Sequence, residues 1–91
     1  MQVTVRYFAG ARAAAGGDQE KIELDGAASS AAPQGIPTLT DLARVLGQRH
    51  GPDLDRVLTA CSFLLDEVAG SRERPLRDGA QVDVLPPFAG G

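Results

Sequence analysis

One helical stripe decides most of what this 91-residue chain can fold into. Leu39, Leu42, Ala43 and Leu46 fall at i, i+3, i+4 and i+7, with Arg44, Gln48 and Arg49 on the other side. That is the spacing of a helix with one apolar face. Thr38 stands at the N-cap position with Asp41 three residues on, so a hydroxyl and a carboxylate can satisfy the first free amides reciprocally. Gly51 and Pro52 then supply the stop, because proline cannot continue the helical ladder. The spacing predicts a helix over residues 39–50. The other long patterned stretches alternate with period 2, so this main helix must bury its stripe against a sheet.

The alternating stretches come in a definite order. Val3, Val5 and Tyr7 alternate with Thr4, Arg6 and Phe8, which puts the first set toward the core and Phe8 on the opposite face. Residues 9–17, rich in alanine and glycine, form a turn with room for one helical turn. Residues 19–25 make a second strand with Ile22 and Leu24 inward, so the first two strands form a hairpin with a wide loop. Residues 26–37 are low in complexity and read as an exposed loop. They are not a domain linker, because neither flank holds enough apolar sequence to fold alone. After the helix, Asp53 to Leu58 predicts a short second helix, and residues 59–65 form a β-rich apolar run suited to a central strand. Residues 66–73 are a polar turn region with a short strand near Val68, Asp78-Gly79 is a tight turn, and residues 80–85 alternate as a last strand. Strand, strand, helix, strand, small irregular element, strand is an α+β arrangement. One main helix covers one face of a mixed four- to five-stranded sheet.

Bulk properties narrow the function. Hydrophobic residues make up 43% and charged residues 23%, the balance of a single folded domain. No apolar run approaches the roughly 20 residues that span a bilayer, and the first residues go straight into alternation, so no signal peptide and no membrane partner are expected. A lone cysteine, Cys61, excludes a disulfide framework and fits a cytoplasmic location. The net charge is −3, and residues 51–91 hold four basic against seven acidic groups. Nucleic acid is not an expected partner, and a basic docking surface on another protein is.

The end of the chain is its most unusual stretch. The last strand runs into Pro86-Pro87-Phe88-Ala89-Gly90-Gly91. Two prolines stop the ladder and favour an extended exit. Two glycines without Cβ atoms make a thin tip that ends in an unhindered carboxylate. Residues 1–85 therefore read as one domain and 86–91 as a flexible tail. Such a tail can thread a narrow channel through Pro87, Phe88, Ala89 and Gly90, with Phe88 an apolar anchor for a partner's pocket.

These features together resemble a known family. Val5-Arg6-Tyr7-Phe8-Ala9 followed by Arg12, Pro37-Thr38-Leu39 at the helix start, Pro75-Leu76-Arg77-Asp78-Gly79, and Val82 to Gly91 occur in the order and spacing of the ubiquitin-like sulfur carriers. Among these the chain is most similar to the MoaD family, the small subunits of molybdopterin synthase; the thiamine-pathway carrier, ThiS, is a shorter relative. Two stretches depart from the pattern. Residues 60–67 stand where many members have an Ala-Val-Asn-x-Glu type strand and turn, and the 26–37 loop is long.

The resemblance implies a β-grasp fold, with the first and last strands as central parallel neighbours. It implies that an E1-like enzyme uses ATP to adenylate Gly91, and that the acyl-adenylate becomes a thiocarboxylate that donates sulfur. The chain would then be no enzyme itself, hold no cofactor or metal, and serve as the small subunit of a molybdopterin synthase with a larger catalytic subunit. Sulfur delivery for thiamine, cysteine or a secondary metabolite, a ubiquitin-like modifier of lysines, and a passive binding module remain the alternatives.

No internal active site is legible. Cys61 sits in an apolar run and reads as a core residue. His50 is alone at a helix C-terminus, where a dipole contact is the ordinary role. Asp53/Asp55 and Asp66/Glu67 read as caps and turns, and Gly10, Gly16 and Gly17 are not followed by the Lys-Ser/Thr of a phosphate loop. Phe8, Phe63 or Leu64, and Leu85 cannot all point into one core if alternation holds. They are the expected partner-docking patch on the face away from the helix. Arg12 matches the family's turn arginine; a pairing with a partner carboxylate and a solvated loop position are its two readings.

Overall fold

The computed structural model describes residues 1–24 and 36–86. Within them the elements run β1 (Gln2–Tyr7), α1 (Gly10–Ala15), β2 (Gln19–Glu23), α2 (Leu39–His50), α3 (Pro52–Ala60), β3 (Ser62–Leu65), β4 (Val68–Ala69) and β5 (Gln81–Leu85). The sheet order is β2-β1-β5-β3-β4. The central pair, β1 and β5, is parallel, and the remaining pairs are antiparallel. This is the β-grasp arrangement. Residue 25 of the expected second strand and residues 26–35 of the loop expected at 26–37 lie outside the described residues; Pro37 is buried, and its carbonyl accepts the Leu76 amide at 2.8 Å.

Alternation works as the sequence pattern requires. Val3, Val5 and Tyr7 of β1, Val82 and Val84 of β5, and Ile22 and Leu24 at β2 are buried in one cluster with Leu39, Leu42 and Leu46 of α2. Leu54 and Leu58 of α3 and Ala11 of α1 join the same core, so the three helices share one side of the sheet. α3 is longer than the expected 53–58: Pro52 is preorganised for its first turn, and at the other end it takes Thr59 and Ala60 from the run expected as a strand, so β3 begins only at Ser62. Gly51, at φ 99°, links α2 to α3 without an intervening loop, a backbone region that favours glycine. Gly47 lets the two helices approach closely: a Cβ there would run into the Asp55 side chain.

The start of α2 is capped on both strands of its hydrogen-bond deficit. The Asp41 amide donates to Thr38 Oγ1 at 3.4 Å, and Asp41 Oδ2 accepts from the Thr38 amide at 2.9 Å. The C-terminal end is tied to the sheet instead. Tyr7 Oη donates to Glu20 Oε2 at 2.6 Å, Arg49 Nε donates to Glu20 Oε1 at 2.8 Å, and His50 Nε2 pairs with Glu20 Oε2. His50 therefore has a carboxylate partner thirty residues away, which corrects the expectation of a simple dipole contact. Burial alone would raise the Glu20 carboxyl, but hydrogen bonds from Tyr7, His50 and Arg49 outweigh it and hold the group below its ordinary value of 4.5. Burial, and then Glu20, pushes the Tyr7 hydroxyl far above its usual range.

Two outcomes are expected. Thr38→Ala should cost about 1 kcal/mol in a urea unfolding titration, since it removes the hydroxyl that accepts from the Asp41 amide. A folded-state carboxyl held low contributes stability that is present above its unfolded value and lost as pH falls through the folded value. Stability should therefore decline on acidification below about pH 4.5, and Glu20→Gln should flatten that decline.

Candidate docking face at the base of the C-terminal tail

The tail residues Pro87, Phe88, Ala89, Gly90 and Gly91 lie outside the described residues, so the site is built here from the strand that carries them. β5 is held at both flanks. On the β1 side, the Thr4 amide donates to Ala80 O at 2.9 Å and the Phe8 amide donates to Val84 O at 3.2 Å. The start of the strand is fixed by a turn in which Gly79, at φ 83°, lets the Ala80 amide reach Arg77 O at 3.1 Å. Asp78 Oδ1 and the Gly79 amide bracket Gln2, accepting from its amide at 2.8 Å and donating to its carbonyl at 2.7 Å. On the β3 side, Asp66 accepts from the Gln81 amide at 3.0 Å and from Arg77 Nη2 at 2.9 Å. These donors, the Gln81 amide first, hold the Asp66 carboxyl below the usual carboxylate range. Asp66 and Glu67 both take positive φ, 48° and 70°, in the tight turn between β3 and β4.

Because β1 and β5 are parallel, their C-terminal ends leave the sheet at the same edge. Phe8 follows Tyr7 there, and Pro86 follows Leu85 beside it. Ala9, at φ 50°, then turns the chain into α1.

The face away from the helices carries Arg6 and Asp83, paired across β1 and β5, and Leu64, paired with Asp83 across β3. Leu85 pairs with Ser62, which places Leu85 diagonally from Leu64 on the same face. Phe8, Leu64 and Leu85 are each half-buried there. Arg6 grips Asp83 with two donors, Nε to Oδ1 at 2.7 Å and Nη2 to Oδ2 at 3.0 Å. The same guanidinium lies 5.5 Å from the centre of the Phe8 ring, within cation–π range. Its hydrogen bond to Asp83 raises its pKa further, and so it stays charged.

Phe63 does not belong to this face. It pairs with Val84, points to the core and is 3% exposed, with the Arg72 guanidinium 4.5 Å from its ring centre. A strand flips every side chain when its register shifts by one residue, and here the register gives the outer position to Leu64. Arg12 lies in α1 and pairs with Asp18 at 3.1 Å, both side chains largely exposed. Cys61 is buried, its Sγ donating to Val57 O at 3.1 Å, and burial pushes the thiol up, the opposite of an activated nucleophile. No group of three or more metal-ligating side chains is found among the described residues, and no helix among them is long and apolar enough to cross a membrane. The Arg6–Asp83 pair escaped the sequence reading. Its signal was present, since alternation puts both residues on outward positions of the two strands expected to be neighbours.

A model of the ThiS family matches residues 5–91. The chain belongs to the ThiS family. A molybdopterin synthase sulfur carrier subunit of Chlamydomonas reinhardtii is 35% identical over 93 residues, which covers 100% of both proteins. Among solved structures, a chain from the protein-protein complex of subunit 1 and 2 of the molybdopterin-converting factor from Helicobacter pylori matches with 25% identity and a TM-score of 0.65, over 100% of this chain and 100% of that chain. SAMP1 from Haloferax volcanii superposes with a TM-score of 0.78 at 21% identity, again over 100% of both chains, and that likeness speaks to the fold alone. The ThiS-family match takes in β5, Pro86 and the Gly90-Gly91 end together.

Core and open-face residues separate by mutation. Phe63→Ala should cost about 3–5 kcal/mol in chemical denaturation, the range for emptying a core aromatic site. Leu64→Ala and Leu85→Ala, on the open face, should each cost clearly less.

Proposed function

We propose that this ThiS-family chain is a sulfur carrier that acts as the small subunit of a molybdopterin synthase. The observation that carries this reading is the match of the family through residue 91, together with 35% identity to a named sulfur carrier subunit over the full length of both. The complex of subunits 1 and 2 from Helicobacter pylori supports a larger catalytic subunit as the second partner.

The reacting group is the Gly91 carboxylate. A carboxylate is a poor electrophile, so one of its oxygens first attacks the α-phosphorus of ATP and releases pyrophosphate. The acyl-adenylate then has AMP as a good leaving group, and a donor of sulfur at the level of sulfide displaces it to give the thiocarboxylate. Gly90 and Gly91 leave that acyl carbon uncrowded. The base, the magnesium ion and the oxyanion donors belong to an E1-like partner, which also consumes the ATP; the carrier itself holds no cofactor and works in the cytoplasm. Pro87, Phe88 and Ala89 thread the partner's channel. Phe8, Leu64 and Leu85 rest against its surface beside the channel mouth, and a half-buried apolar stripe next to the tail base supports that role.

Removing Gly91, or replacing Gly90 with Trp, should leave the melting temperature unchanged and reduce ATP–pyrophosphate exchange by the E1-like enzyme to background. Exchange that survives both changes would overturn the proposal.

A further inference from the structure

The centre of the apolar stripe is not apolar. Asp83 is 4% exposed, although it lies on the sheet face that none of the described helices covers. Arg6 lies across it and remains 39% exposed through its side chain, against 5% for Asp83. The pair therefore shows its cationic end to solvent. Nε and Nη2 are spent on the Asp83 carboxylate. The guanidinium has five N–H donors in a planar fork, so among the described residues the Nη1 edge and the outer Nη2 hydrogen are left over from the Asp83 pairing on a side chain that is partly exposed. The two hydrogen bonds to Asp83 fix the plane of that fork, and the Phe8 ring centre lies 5.5 Å from the guanidinium.

A protein that covers Phe8, Leu64 and Leu85 must also cover this edge. An apolar surface would strip water from the donors and leave them unpaired, which opposes binding. A carboxylate meets the Nη1/Nη2 edge with two parallel hydrogen bonds, the geometry guanidinium favours.

We infer that Arg6, held by Asp83 and Phe8, is a specificity-determining residue that selects a protein partner carrying an Asp or Glu side chain within an otherwise apolar docking surface. The inference rests on the sulfur-carrier reading for the identity of that partner, and we assign it to the E1-like adenylating enzyme. That enzyme must receive the tail before any sulfur is attached, and the face adjoins the tail base at Leu85 and Pro86. Asp83 is a positioning residue, aiming Arg6 without meeting the partner.

The test is calorimetric binding of the purified adenylating enzyme to the full chain and to three variants. Arg6→Met/Asp83→Leu replaces the pair with apolar side chains of similar size. Asp83→Asn keeps the shape of the pair while loosening its aim. Arg6→Asp/Asp83→Arg keeps the ion pair but moves the cation to the neighbouring strand. Melting temperatures confirm that each variant is folded, and Asp83→Asn serves if a double variant is not. Binding of the apolar and exchanged pairs is expected to weaken at least about tenfold, or about 1.4 kcal/mol, with Asp83→Asn between them and the unchanged chain. An unchanged or tighter Kd for the folded variants would overturn the inference and make the pair a structural link between β1 and β5. Pyrophosphate exchange on the unchanged chain keeps the two readings apart. If exchange occurs and the variants bind equally well, only the inference fails; if the unchanged chain supports no exchange, the sulfur-carrier reading fails first.

Discussion

Everything at the working end of this molecule depends on the parallel pairing of β1 with β5. Two strands that lie side by side and parallel in one sheet need a long crossover between them. Here that crossover includes α2 and α3, whose leucines close the core over Val3, Val5, Val82 and Val84. The same pairing brings the two strand ends out together. Phe8 leaves β1 and Pro86 leaves β5 at one edge of the sheet, so the base of the tail and the aromatic beside it are set by backbone hydrogen bonds and not by a mobile loop. Flanking turns reinforce the placement through Asp66 on one side and Asp78 on the other.

The two faces of the sheet divide the labour. One is apolar and covered by helices, and it supplies the stability. The other carries Phe8, Leu64 and Leu85 around an ion pair whose acid is buried and whose base is partly open. An ion pair is a poor source of net stability when its desolvation offsets its attraction. Its value lies in orientation, because Arg6 is fixed by a fork of hydrogen bonds and by an aromatic ring. A carrier of the proposed kind needs a surface that others recognise, and on this fold the open face lies beside the end of β5.

The parts of the fold written in local sequence were the parts legible in advance. The helix at 39–50 agrees residue for residue with its stripe and its Thr38/Asp41 cap, because capping and helical spacing act over three or four residues. The α+β class followed from the change of period along the chain, and the β-grasp order needed the family pattern as well. Register was harder to read. Phe63 and Leu64 are adjacent apolar residues, and only the pairing of Phe63 with Val84 decides which of them enters the core. Arg12 read as a docking residue because its turn matched a pattern, while its Asp18 partner lies across a loop whose shape the sequence does not specify. His50 and Glu20 are thirty residues apart, and no local rule connects a helix end to an edge strand. The Arg6–Asp83 pair spans 77 residues, so its charges were visible and their meeting was not.

The most direct measurement is tandem mass spectrometry of the C-terminal peptide after incubation with ATP, an E1-like enzyme and a sulfur donor. Intact mass would not suffice, since exchanging oxygen for sulfur is nearly isobaric with oxidation of Met1 or Cys61. The account predicts a sulfur-for-oxygen exchange localised to Gly91. A peptide that keeps a plain Gly91 carboxylate, under conditions in which the same enzyme charges another carrier, would contradict it.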